Sequence, residues 1–115
     1  MARIEVVQAY RAQYDDPIAF QAGEPVDVER EDAEFRGWYW CRDARGRQGW
    51  VHLSFLSAPQ GRALARRDYS ARELTVDAGT VAELLDHLDG WLRVRLDDGA
   101  EGWLPESHVK RTRTG

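Results

Sequence analysis

The chain has 115 residues and sets 16 Lys plus Arg against 20 Asp plus Glu, for a net charge of -4. That sign argues against binding to nucleic acid driven by phosphate neutralisation, and no apolar run has the length of a signal peptide or a membrane span. The one cysteine, Cys41, cannot form an intramolecular disulfide, which fits a reducing compartment and predicts a cytoplasmic protein.

Lys110 is the sole lysine among the basic residues, a bias that points to a GC-rich bacterial genome. The length allows one ordinary domain or two very small ones, and a unit of about 60 residues buries only about 60% of its unfolded surface. Five Trp, four Tyr and three Phe supply bulky apolar area suited to small β units with shallow cores.

Ile4 to Tyr10 reads as a first strand by its period-2 alternation. The turn-rich run Gln13-Tyr14-Asp15-Asp16-Pro17 interrupts it before Ile18-Ala19-Phe20 alternates again. Ala22-Gly23-Glu24-Pro25 turns the chain into Val26-Asp27-Val28-Glu29, and the polar run Arg30 to Arg36 is a solvated loop closed by Gly37. Trp38-Tyr39-Trp40-Cys41 then faces Gln48-Gly49-Trp50-Val51 across the hairpin turn Asp43-Ala44-Arg45-Gly46. Ser57-Ala58-Pro59-Gln60-Gly61 has linker composition. Beyond it the pattern recurs: Tyr69 answers Tyr10, Gly79 answers Gly23, Trp91 answers Trp38, and Gly99-Ala100-Glu101-Gly102-Trp103 answers Gly46-Arg47-Gln48-Gly49-Trp50. Val81 to Leu88 carries Leu84, Leu85 and Leu88 at helical spacing. It is short for a helix and bracketed by Gly79 and Gly90, so strand plus loop is preferred.

This alignment predicts two copies of one unit with a shared core plan. The inward set is Val6, Ile18, Phe20, Val26, Val28, Cys41, Val51 and Leu56 in copy one, and Ala65, Leu74, Val76, Ala82, Leu84, Val94, Leu104 and Val109 in copy two. Apolar residues at sixteen period-2 positions are improbable by chance in a chain that is 31% charged.

These residues resemble the Src homology 3 (SH3) domain, and the pairing of the copies resembles bacterial tandem variants of that family. The family's Ala-Leu-Tyr-Asp-Tyr is matched by Val6-Val7-Gln8-Ala9-Tyr10 and Ala65-Arg66-Arg67-Asp68-Tyr69. Its Leu-Ser-Phe-x-x-Gly-Glu is matched by Ile18 to Glu24 and by Leu74 to Thr80, and its tryptophan pair by Trp38-Tyr39 and Trp91-Leu92. Its Gly-Tyr-Ile-Pro-Ser-Asn-Tyr-Val ending is matched by Gly49 to Leu56 and Gly102 to Val109. The resemblance implies an all-β fold of two five-stranded barrels: residues 1–57, a lead-in over 58–64, residues 65–111 with shortened loops, and a disordered tail over 112–115.

It also implies a non-enzymatic module that binds another protein or a peptide, weakly, through aromatic faces; the alternative is a rigid structural or regulatory subunit of a larger assembly. In the family, aromatic slots hold a polyproline II ligand beside an acidic loop. Copy one would present Tyr10, Trp38 and Phe55 with Asp15 and Asp16 nearby, but has Gln8 and His52 for a tyrosine and the proline. Copy two would present Tyr69, Trp91 and Pro105, but has Arg67 and His108 for tyrosines. Trp38 is expected to face outward, and Trp40, on the same strand face, to lie in a contact between the repeats.

No residue set announces catalysis. His52 and His108 fall at related barrel-end positions, His87 falls in a loop, and nothing spaces them as metal ligands. Cys41 reads as a small buried hydrophobe. A monomer without cofactor or metal is expected, binding neither nucleic acid nor membrane.

Overall fold

Turns placed by glycine and proline cut the chain into strands too short to bury a face singly, and they pair into antiparallel sheets. The computed structural model describes residues 2–112. In chain order the strands are β1 (Arg3–Val6), β2 (Ala19–Phe20), β3 (Pro25–Glu31), β4 (Trp38–Arg42), β5 (Gln48–His52), β6 (Gly61–Leu64), β7 (Tyr69–Ser70), β8 (Val81–Leu88), β9 (Trp91–Arg95), β10 (Glu101–Pro105) and β11 (Val109–Arg111). Single 3-10 turns lie at Leu53–Phe55 and Glu106–His108. The fold is all-β, and Val81–Leu88 is a strand with a bulge between Leu84 and Asp86. The extra residue of that bulge, Leu85, gives the leucines their helix-like spacing. His87 consequently sits in β8 rather than in a loop. Among the described residues no helix is long and apolar enough to cross a membrane.

Two compact units result. One is continuous, residues 14–71; the other is composite, residues 1–13 with 72–115. The continuous unit holds a sheet in the order β5-β4-β3-β6 and the pair β2-β7. Its buried residues include Ile18, Phe20, Val26, Val28, Cys41, Val51, Leu56, Ala63 and Ala65. The composite unit holds the order β10-β9-β8-β1-β11, around a core of Ile4, Val6, Leu74, Val76, Ala82, Leu92, Val94 and Leu104. Of the sixteen expected inward positions only Leu84 and Val109 are half-buried, and the rest are buried.

The units cut across the expected halves 1–57 and 65–111. β1 lies between β8 and β11, with Ile4 opposite both Ala82 and Arg111. β6, in the expected lead-in 58–64, pairs with β3 of the first repeat, with Ala63 opposite Val26. The following arms are exchanged too: Tyr10 bridges Val76, and Tyr69 pairs with Phe20. The cause is the supposed linker. Leu56 bridges Ala65, Ser57 N donates to Leu64 O at 3.0 Å, and Leu64 N donates to Ser57 Oγ at 2.9 Å. Ser57 and Leu64 therefore close the connection on itself, with Gly61, the first residue of β6, at φ +70°. The connection sets β6 along β3, at the edge of the sheet opposite β5. β6 thus fills the vacant position in the unit behind it, and the N-terminal strand completes the other unit.

The recurring Gly-x-x-Gly-Trp motif has two separate causes. Gly46 and Gly99 turn their hairpins at φ +85° and +92°, where a side chain is strained. Gly49 and Gly102 allow close approach: a Cβ on Gly49 would lie 2.9 Å from Ile18 Cγ2, and one on Gly102 would lie 2.8 Å from Arg72 O. Thr112, assigned to the tail, instead donates from its backbone N to Arg3 O at 3.0 Å. The rest of the expected tail, 113–115, lies outside the described residues.

Candidate functional site

The composite unit gathers Tyr10, Trp91, His108 and Pro105. The bridge to Val76 delivers Tyr10, whose ring stands edge-on to Trp91 at 6.2 Å and to His108 at 5.4 Å. Trp91 and Pro105 are direct partners across β9 and β10. Tyr10 Oη donates to Glu73 Oε1 at 2.9 Å, and the same oxygen accepts Gln13 N at 3.0 Å. Glu73 thus fixes both the phenol and the start of the chain crossing beyond it. Tyr10, Trp91 and His108 are half-buried and Pro105 is buried. Together they form a cluster of edge-on, half-buried rings beside the buried Pro105.

The continuous unit gathers Tyr69, Phe55, Trp38 and His52. Tyr69 packs on Phe55 at 4.5 Å and on Phe20 at 5.5 Å, and its hydroxyl donates to Trp50 O at 2.6 Å. Trp38 and His52 are cross-strand partners with ring centroids 5.2 Å apart. His52 Nδ1 accepts from Ser54 N at 3.2 Å, so the histidine at the family's proline position serves as the cap of the 3-10 turn. Arg67 lays its guanidinium 4.1 Å over Phe55 and donates to Ser54 Oγ at 3.2 Å. Trp38 and Phe55 are each 4% exposed and Tyr69 8%. Trp38, expected to face outward, is buried.

Residues grouped by repeat in the sequence are therefore regrouped by strand exchange. Tyr10 belongs to the unit of Trp91 and Pro105, and Tyr69 to the unit of Trp38 and Phe55. The signal for this regrouping was in the chain, as the shortness of Ser57 to Gly61. Asp15 and Asp16 are exposed, directly after Tyr14, whose ring lies 5.8 Å from Trp40. Trp40 packs edge-on against its cross-strand partner Trp50 at 5.0 Å. It also donates from Nε1 to Gln48 Oε1 at 2.8 Å, and the Arg30 guanidinium stands 5.5 Å from its ring.

Two polar or reactive groups lie buried at the other end of the continuous unit's sheet. Asp43, 6% exposed, accepts from the backbone N of Ala19, Arg45 and Arg47 and from Arg47 Nε at 2.8 Å. Burial pushes its carboxyl up, but these donors together outweigh it and hold the group below the usual carboxylate range. Cys41 is 0% exposed, and burial, with the Glu29 charge, pushes its thiol up to about 12. Such a thiol is inert at neutral pH. Among the described residues no group of three or more His, Cys, Asp or Glu is placed to hold a metal ion.

Comparison with known proteins divides the chain by repeat, in sequence order. Residues 3–58 match a family model described as a variant SH3 domain, and residues 62–110 match one described as a bacterial SH3 domain. The chain is 28% identical over 123 residues to SH3 and PX domain-containing protein 2B of Homo sapiens, a match covering 92% of this chain and 13% of that protein. It is 30% identical over 114 residues to SH3 and PX domain-containing protein 2A of Danio rerio, covering 92% of this chain and 9% of that protein. The chain thus spans a small fraction of the length of these relatives. No solved structure matches it.

Proposed function

The chain belongs to the Src homology 3 family as two such domains in tandem, and on that premise we propose that it is a non-enzymatic interaction module, binding an extended peptide segment of another protein. SH3 domains are in general protein-interaction modules. The binding face in this reading is that of the composite unit: Tyr10, Trp91, Pro105 and His108. The observation that carries it is the upright Tyr10 ring, half-buried between Trp91 and His108. In the continuous unit the matching Tyr69 is buried, and Arg67 covers Phe55. A polyproline II segment suits such a face because little ordering entropy is lost on docking. Affinity should be weak, since His108 replaces a family tyrosine and the Glu73 carboxylate is already engaged by Tyr10.

Titration of a proline-rich peptide into isotope-labelled protein tests this reading. Amide and indole signals of Tyr10, Trp91 and His108 should move more than those of Trp38 and Phe55. Movement centred on Trp38, or none at millimolar peptide, overturns it.

A further inference from the structure

We propose that the N-terminal segment ending at Gln13 can complete the composite unit of a second copy, giving a reciprocal strand-exchanged dimer. The segment is joined to its own unit by no direct peptide bond. It reaches residues 72–112 only through the whole continuous unit. Its hold is non-covalent and extensive. β1 is a central strand, paired on both sides with β8 and β11, and Ile4 and Val6 are both 0% exposed. Beyond β1, Val7 N donates to His108 O at 2.8 Å, and Tyr10 and Val76 exchange two backbone bonds of 2.9 Å.

A second copy offers the same slot between β8 and β11, so every one of these interactions can be remade in trans. Reciprocal exchange leaves neither slot between β8 and β11 empty and closes at two chains. The two forms then differ chiefly in the entropy of closing the exchange within one chain. A tethered segment acts at an effective concentration on the order of millimolar, so the monomer prevails well below that range. Because β1 is central, interconversion requires the composite unit to open, and a dimer once formed persists on dilution.

The test co-refolds equal amounts of isotope-labelled and unlabelled wild-type chain from denaturant, at about 1 mM and at about 10 µM, either side of that effective concentration. Gel filtration of the concentrated sample after dilution should show a species of doubled mass that the dilute sample lacks. Isotope-filtered NOE spectra of that species should show Ile4 of one chain against Ala82 of the other. Absence of the doubled species from the concentrated sample overturns the proposal. A doubled species in which Ile4 meets Ala82 only within one chain also overturns it, because the copies would then associate through another surface.

Discussion

Leu56 and Ala65 are antiparallel bridge partners, and that one pairing decides which strand completes which unit. The chain between them closes through Ser57 and Leu64, so β6 is held within the unit the chain has just built, along β3. Inserting about 15 Gly and Ser residues between Pro59 and Gln60 removes this requirement, at a closure cost of only about 1 kcal/mol. Ile4 should then divide between two sites, with NOEs to Val26 appearing beside those to Ala82. Contacts to Ala82 alone would show that side-chain fit, rather than connection length, directs the exchange.

The glycines of the repeated motif should fail for different reasons when replaced by alanine. Gly46→Ala meets nothing within 4 Å but sits at φ +85°, a cost of about 1 kcal/mol. Gly102→Ala places its Cβ 2.8 Å from both Arg72 O and Leu74 Cγ. Backbone cannot yield as a flexible side chain does, so about 2 to 3 kcal/mol is expected. Denaturant titrations should rank Gly102→Ala as the more damaging; the reverse order would show that the chain at Arg72 gives way.

Asp43 links a hairpin turn to the backbone of Ala19. Asp43→Ala strands Arg47, whose Nε lies 2.8 Å from the carboxylate, along with three backbone donors, and should cost about 3 kcal/mol. The folded-state pKa lies below the ordinary 3.8, so this contribution is present above that value and is lost as pH falls through the lowered one. Acid unfolding followed by circular dichroism should begin at higher pH in the variant. An unchanged acid midpoint would remove Asp43 from the account.

Cys41 should stay unlabelled by a thiol reagent at pH 8 in folded protein and react at once in denaturant. Its folded pKa of about 12 stands above the ordinary thiol value of 9.0. The thiol's contribution is therefore whole below about 9 and is lost as pH rises from there toward 12. Cys41→Ala should flatten the alkaline decline in stability. Native labelling as fast as in denaturant would place the thiol outside the core.

Strand periodicity made the two-copy fold legible because burial repeats every second residue whichever unit a strand enters. Val6 is buried as expected, but among Leu74, Val76 and Ala82. Ala65 is buried beside Leu56. Alternation reports that a face is covered and not by which neighbour, so exchange of two equivalent strands leaves no trace in it. Pattern leaves the assembly of the candidate faces open for the same reason: Tyr10 and Tyr69 are interchangeable by pattern. Glu73 was visible as an acidic residue, but its bond to Tyr10 joins the two repeats and could not be read within either one.

The regrouping makes its sharpest prediction at Tyr10. If faces followed the repeats, removing this ring would disturb Trp38; in the structure its neighbours are Trp91 and His108, at 6.2 and 5.4 Å. Ring-current shifts fall off steeply with distance, and the five Trp residues give one indole N–H signal each. Tyr10→Ala should move the Trp91 indole. It forfeits two edge-on ring contacts, each worth about 0.5 to 1.5 kcal/mol, and removes the phenol bound to Glu73, so a loss of about 2 kcal/mol is expected in denaturant titration. Tyr10→Phe separates these parts. It keeps both ring contacts and should lose only about 1 kcal/mol, with peptide-induced shifts at Trp91 retained. Should Tyr10→Ala leave the Trp91 indole in place, the strands are not exchanged in solution, and each repeat keeps its own first strand.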